Sequence, residues 1–236
     1  MTEVSTTSLQ ARRALVSGAA SGIGRATLLA LSKLGAEVVG TDVAPSVGRA
    51  HPLLHADLCR QEDVDGLFRA VQAQFGAPDI LVSCAGVGIH ERLAEGDPAK
   101  WARLLEVNVL GALRLIRAFV PAMLANGGDV VIVSSVAAHS AYPWGGPYAA
   151  SKSALETLAE TLRLEVLPTV RVATIAPGVV DTPFFAHMLS GNLSVEEVGF
   201  GAVRPEQVAE LIAYIVSRPS NMAINHLTVR PRGQAF

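Results

Sequence analysis

Seven runs of apolar residues punctuate the chain, at about residues 12–17, 36–41, 52–56, 79–84, 129–135, 170–176 and 224–229, and within them apolar positions are continuous rather than alternating. A strand that is apolar on both sides is buried on both faces, so the runs predict a parallel sheet covered by helices above and below. Between them, apolar residues recur every three or four positions, as in Ala26, Leu28, Leu29, Leu31 and Leu34 ahead of Gly35, the period of a helix packed on one side. Strand alternating with helix predicts an α/β fold, doubly wound in the Rossmann manner, with one seven-stranded parallel sheet. No repeat, low-complexity tract or linker divides the chain, so one domain is expected over 1–236.

Ligands of such sheets bind outside the carboxyl ends of the strands, and the polar residues there carry the chemistry. The first run, Arg12 to Ser17, leads into Gly18-Ala19-Ala20-Ser21-Gly22-Ile23-Gly24 and then a helix. Glycines let the backbone approach a pyrophosphate, and a helix amino terminus presents unpaired N–H groups and a positive dipole end. The second run ends at Asp42, whose carboxylate suits ribose hydroxyls and repels a 2′-phosphate. No lysine or arginine stands beside it or inside the glycine turn, which favours NAD over NADP.

The fifth run delivers Ser135, and thirteen residues later a helix opens near Tyr148. Tyr148 and Lys152 are four apart, so both project from one helix face. A free phenol has a pKa of about 10, and work near neutrality needs a shift worth about 4 kcal/mol. A cation at about 4 Å supplies a comparable amount, so Lys152 is expected to lower Tyr148. Ser135 would hold a substrate oxygen while Tyr148 exchanges its proton.

With these residues in hand the chain resembles the classical short-chain dehydrogenases/reductases from about Arg12 to about Val229. The resemblance rests on the Gly18, Gly22, Gly24 turn, Asp57-Leu58, Ala85-Gly86, Asn108 in Asn-Val-Leu-Gly, Ser135, Tyr148 with Lys152, and Pro177-Gly178 followed by Thr182. It implies an alcohol–ketone interconversion with Asn108, Ser135, Tyr148 and Lys152 as the catalytic set. Asn108 would kink the helix Trp101 to Leu124 and hold a proton-relay water. It further implies a cofactor held by Gly18, Ser21, Gly22, Ile23, Gly24, Asp42, Asp57, Leu58, Ala85, Gly86, Tyr148, Lys152, Pro177, Gly178, Val180 and Thr182. The substrate would meet Ser135, Ala137, Trp144, Tyr148, Phe184 and Phe185, beneath a closing loop at 183–204. Ser83-Cys84, where the family has two asparagines, predicts altered local hydrogen bonding, and the tail from His226 to Gly233 departs from the family's usual ending.

Composition narrows the picture further. A net charge of −2 gives no electrostatic argument for nucleic acid or an anionic membrane, and the expected partner is a small-molecule alcohol or ketone. The pocket segments carry no lysine or arginine, which points to a neutral, partly apolar or aromatic substrate. His90, His139 and His187 are too scattered for a zinc-site spacing, so no metal is expected. Cys59 and Cys84 read as reduced thiols, MTEVSTTSLQ lacks a signal's apolar core, and a cytoplasmic protein is expected. The helices around Leu104–Leu124 and Tyr148–Leu167 are apolar nearly all round, and the resemblance implies that they build a homodimer or homotetramer. Two other readings stay open: an NADPH-dependent biosynthetic carbonyl reductase, and a non-catalytic NAD(P)-binding regulatory protein.

Overall fold

A computed structural model of the protein describes residues 8–44, 51 and 53–235. Pro52, the first residue of the third apolar run, lies outside them. Each run forms a strand: β1 (Arg13–Ser17), β2 (Glu37–Asp42), β3 (Leu53–His55), β4 (Ile80–Ser83), β5 (Gly128–Val133), β6 (Val170–Pro177) and β7 (His226–Val229). All pairings are parallel, in the order β3-β2-β1-β4-β5-β6-β7.

The continuous apolar pattern has the packing consequence expected of it. Alternate residues of β1 face opposite ways: Ala14 and Val16 meet Leu28 and Leu31 of α1 (Gly22–Lys33), on the face also covered by α7 (Pro205–Val216). Leu15, between them, joins the core beneath α2 (Gln61–Phe75), α4 (Gly111–Met123) and α5 (Gly146–Val166). Two shorter helices, α3 (Pro98–Leu105) and α6 (Val195–Val198), flank the strands' carboxyl ends.

From β1 the chain winds outward to β2 and β3, then returns to β4 on the other side of β1. The order reverses between β1 and β4, and at such a point the two loops diverge and leave a crevice. At the opposite edge of the sheet, Asp129 is 4% exposed and holds Arg171 at 2.6 Å and Arg12 at 2.8 Å. Arg171 is further committed to the carbonyls of Arg218, Pro219 and Met222.

The helix expected from Trp101 to Leu124 is not continuous. It starts earlier, at Pro98, where the Asp97 side chain accepts a hydrogen bond from the Ala99 N–H and caps it. It is then interrupted by a π-helical turn, Glu106–Leu110, centred on Asn108.

Candidate active site

A cleft of about 690 Å³ opens at the carboxyl edge of the sheet. Its β1 side is shaped by backbone that only glycine permits. Gly18 has φ +66°, and a Cβ there would lie 2.9 Å from the Ala85 backbone. A Cβ on Gly24 would run into the Gly18 carbonyl. Ser21, the residue before α1, makes no side-chain cap bond, so the first-turn N–H groups are left for a ligand in the cleft. Asp42 fastens this turn to β2: its Oδ2 accepts from Ala20 N–H at 2.8 Å and its Oδ1 from Ala44 N–H at 2.9 Å. Each oxygen keeps a lone pair for a hydroxyl donor.

Gly22, Ile23, Asp57 and Leu58 line the same end, with Arg103 Nη2 at 3.8 Å from Asp57. Backbone hydrogen bonding from Cys59 holds the Asp57 carboxyl below its ordinary range. Ala85, Gly86, Pro177, Gly178, Val180 and Thr182 line the middle of the cleft, with the Thr182 methyl near the open side of Gly22. The substitution of Ser83-Cys84 for two asparagines is met by Ser17, whose hydroxyl accepts from the Cys84 and Ala85 N–H groups at 3.0 and 3.2 Å. Burial pushes the Cys84 thiol up to about 12 and the Cys59 thiol up to about 11, so neither is a thiolate near neutrality.

Ser135, Tyr148 and Lys152 converge where β5 meets α5. Ser135 sits in extended backbone just before the 3₁₀ turn Val136–Ala138, and its hydroxyl accepts from Ala137 N–H at 3.2 Å and lies 3.5 Å from the Pro177 carbonyl. Lys152 is 5% exposed and donates from Nζ to the Val133 carbonyl at 3.0 Å. The expected lowering of Tyr148 by Lys152 is not what this arrangement produces. Nζ lies 5.8 Å from the Tyr148 ring centroid, and burial drives the two groups the opposite way. Tyr148 is pushed up to about 12, against a lowering contribution from its Ser135 hydrogen bond, and Lys152 is pushed down to about 8.

Asn108 is 1% exposed and stands behind the cleft wall. Its Nδ2 donates to the Val87 carbonyl at 3.0 Å and to Ser151 Oγ at 3.1 Å, while Oδ1 accepts from Val87 N–H at 2.8 Å. Both amide hydrogens are therefore committed to holding the loop after β4 against α5.

Ala137, Trp144, Phe184 and Phe185 line the outer cleft, as do His90 and His187, whereas His139 lies elsewhere. Phe184 packs on Tyr148 with ring centroids 5.8 Å apart. Trp144 has φ +69°, strained for a bulky residue, and is 56% exposed. His90 Nε2 and the Tyr142 hydroxyl are 3.1 Å apart, and burial lowers the His90 pKa, favouring a neutral ring.

Two residues shaping this region were not singled out from the sequence. Glu91 joins three segments: its carboxylate accepts from Asp97 N–H at 3.0 Å, Lys100 Nζ at 3.2 Å and Trp101 Nε1 at 2.9 Å, while its own N–H donates to the Trp144 carbonyl at 2.8 Å. Burial would raise it, yet these donors together with Ser190 outweigh burial and hold it at about 2. Gln234, in the atypical tail, folds back so that Oε1 accepts from Val179 N–H at 3.0 Å and lines the cleft beside Gly178. Glu91's only sequence signal was its position just after a β4 loop, and Gln234 had none.

The family description short chain dehydrogenase matches residues 12–192. An uncharacterized oxidoreductase of Staphylococcus haemolyticus is 32% identical over 245 residues, covering 95% of this chain and 99% of its own. Glycine betaine reductase of Emericella nidulans is 33% identical over 242 residues, which is 96% of this chain and 19% of that much longer protein. Among solved structures, an alcohol dehydrogenase of Thermococcus sibiricus bound to 5-hydroxy-NADP is 28% identical with a TM-score of 0.84, covering 94% of this chain and 97% of its own. A 3-ketoacyl-(acyl-carrier-protein) reductase of Brucella melitensis bound to NADH is 27% identical with the same TM-score of 0.84, covering 95% and 99%.

Proposed function

The chain belongs to the short-chain dehydrogenase family, and we propose that it interconverts a secondary alcohol and a ketone with NAD as its cofactor, on a neutral, partly apolar or aromatic substrate. The observation that carries this reading is the convergence of Ser135, Tyr148 and a buried Lys152 in the same cleft as the uncapped amino terminus of α1. A bound nicotinamide cofactor supplies the hydride carrier. Gly18, Ser21, Gly22, Ile23 and Gly24 would hold its pyrophosphate, Asp42 its adenosine ribose, and Asp57 and Leu58 its adenine. Ala85, Gly86, Pro177, Gly178, Val180 and Thr182 would line its nicotinamide half.

Ser135 holds the substrate oxygen by hydrogen bond, and Tyr148 Oη takes the proton from an alcohol or gives one to a ketone. Lys152 places the only buried cation of this edge among the described residues next to that phenol. Asn108 positions the loop after β4 and α5. Phe184, Phe185, Trp144 and Ala137 exclude water on the substrate side. Cofactor cradle and reacting groups share one domain.

NAD is preferred because Asp42 repels a 2′-phosphate, and the Arg103 guanidinium at this end lies 3.8 Å from the Asp57 carboxylate. Leu105, Leu110, Leu124, Leu164 and Leu167 are each at least 43% exposed on α3 through α5. We read them as the contact of a homodimer or homotetramer, checked by light scattering. Two neutral thiols fit a cytoplasmic location, and no described helix is long and apolar enough to cross a membrane.

Thermal shift with NAD and NADP, followed by absorbance assays on neutral secondary alcohols and ketones in both directions, tests the reading. Stabilisation by NAD with turnover of a neutral substrate is expected. Stabilisation by NADP alone would overturn the role given to Asp42.

A further inference from the structure

Behind the cleft, three elements distant in sequence bring His139, Glu156 and His226 together. His139 follows the Val136–Ala138 turn, Glu156 lies on α5 one helical turn past Lys152, and His226 opens β7. Their donor atoms all lie within 4.8 Å of one another. His139 Nε2 is 3.7 Å from Glu156 Oε1, and His226 Nδ1 is 3.5 Å from Glu156 Oε2. Glu156 Oε1 is buried and has no hydrogen-bond partner, although a buried carboxylate oxygen without a donor is costly and calls for an explanation. Both imidazoles are nearly half exposed, and a cavity of about 240 Å³ lined by His139, Ser140, His226 and Thr228 opens beside them. Arg230 also borders it, with Nη1 donating to the Ala235 carbonyl.

We infer that His139, Glu156 and His226 form a binding site for a divalent cation of the zinc class, with the remaining coordination open to water through that cavity. Two imidazole nitrogens and one carboxylate are the donors such ions take. Bonds of about 2.0–2.1 Å in tetrahedral geometry separate donor atoms by about 3.4 Å, and the His–Glu contacts at 3.7 and 3.5 Å use different carboxylate oxygens, so rotation of the carboxylate and the rings is what brings three donors onto one ion. The rings, exposed and edge-on with centroids 5.1 Å apart, have room to complete the closure. His226 stands between two threonine hydroxyls, Nδ1 2.8 Å from Thr174 Oγ1 and Nε2 2.9 Å from Thr228 Oγ1, so an ion on Nδ1 takes the place of the Thr174 contact while Nε2–H donates to Thr228. Thr174 Oγ1, 2.7 Å from Glu156 Oε2, orients the carboxylate. Such outer partners are what fix a ligand's tautomer and direction. An ion here ties the segment that carries Ser135, the helix that carries Lys152 and the last strand into one brace.

The test uses untagged, full-length protein stripped with a chelator. Zinc binding is measured by equilibrium dialysis, and cobalt binding by its visible absorption. About one ion per chain is expected. His139→Ala and His226→Ala should each weaken binding by more than about tenfold, since even an outer partner carries that much. His55→Ala, an exposed histidine on β3, should leave it unchanged. Zinc should raise the melting temperature of the wild type and not of His139→Ala. Because both ligand histidines are exposed, their variants should fold, which unchanged circular dichroism would confirm. No binding at micromolar zinc, or equal binding by the wild type and both variants, would overturn the site.

Discussion

The two edges of the sheet treat buried charge in opposite ways. At the amino edge, Asp129 is 4% exposed and answered by two guanidiniums at 2.6 and 2.8 Å. At the carboxyl edge, Lys152 is 5% exposed, has a single carbonyl as its hydrogen-bond partner, and is driven down to about 8 by burial. Breaking a satisfied buried pair costs stability, whereas removing a penalised charge need not. The contrast teaches where this chain keeps its stability and where it holds reactive groups against their solvation preferences.

Lys152→Met is the strongest way to break the comparison. On the functional reading it lowers turnover by roughly 10²–10⁴-fold, the range of a positioned acid–base apparatus. It should not lower the melting temperature at pH 7. The folded pKa of Lys152, about 8, lies below its ordinary 10.5, so the cost of the buried ammonium is fully present below pH 8 and fades as pH rises to 10.5. Any stability advantage of the variant should shrink over that window, as denaturation at several pH values would show.

Asp129→Ala should do the reverse. It leaves Arg12 and Arg171 without their carboxylate and should cost about 3 kcal/mol in denaturant unfolding, with turnover per folded molecule unchanged. Asp42→Ala should narrow the ratio of NAD to NADP affinity by about tenfold, a charge-contact effect of about 1.4 kcal/mol, and also loosen the turn that its carboxylate holds through the Ala20 and Ala44 N–H groups.

Glu91→Gln is the smallest change. Glu91 is held at about 2, below its ordinary 4.5, so its contribution to stability is present above pH 4.5 and is lost as pH falls toward 2. The variant should flatten that limb of the pH–stability curve and raise KM more than it lowers kcat, because Glu91 ties the outer cleft together.

The fold was legible because double burial writes itself as unbroken apolar runs, and all seven strands follow from that pattern, whereas their order in the sheet does not. The residues gathered in the cleft were legible where they sit at strand ends or four apart on a helix. What stayed hidden depends on distance across the fold. Tyr148 and Lys152 share a helix face, but the depth of burial sets the direction of both shifts, and that is not a property of spacing. The π turn at Asn108 reflects its bonds to Val87 and Ser151. His139, Glu156 and His226 meet only because α5 and β7 both pack against β6, so no local histidine spacing announced them.

The most direct measurement compares wild type and Tyr148→Phe in one experiment: NAD binding by thermal shift, then oxidation of neutral secondary alcohols and reduction of the matching ketones by nicotinamide absorbance. The account predicts that NAD stabilises both proteins, with turnover by the wild type and a loss of roughly 10²–10⁴-fold in the variant. Turnover by Tyr148→Phe at the wild-type rate would contradict it.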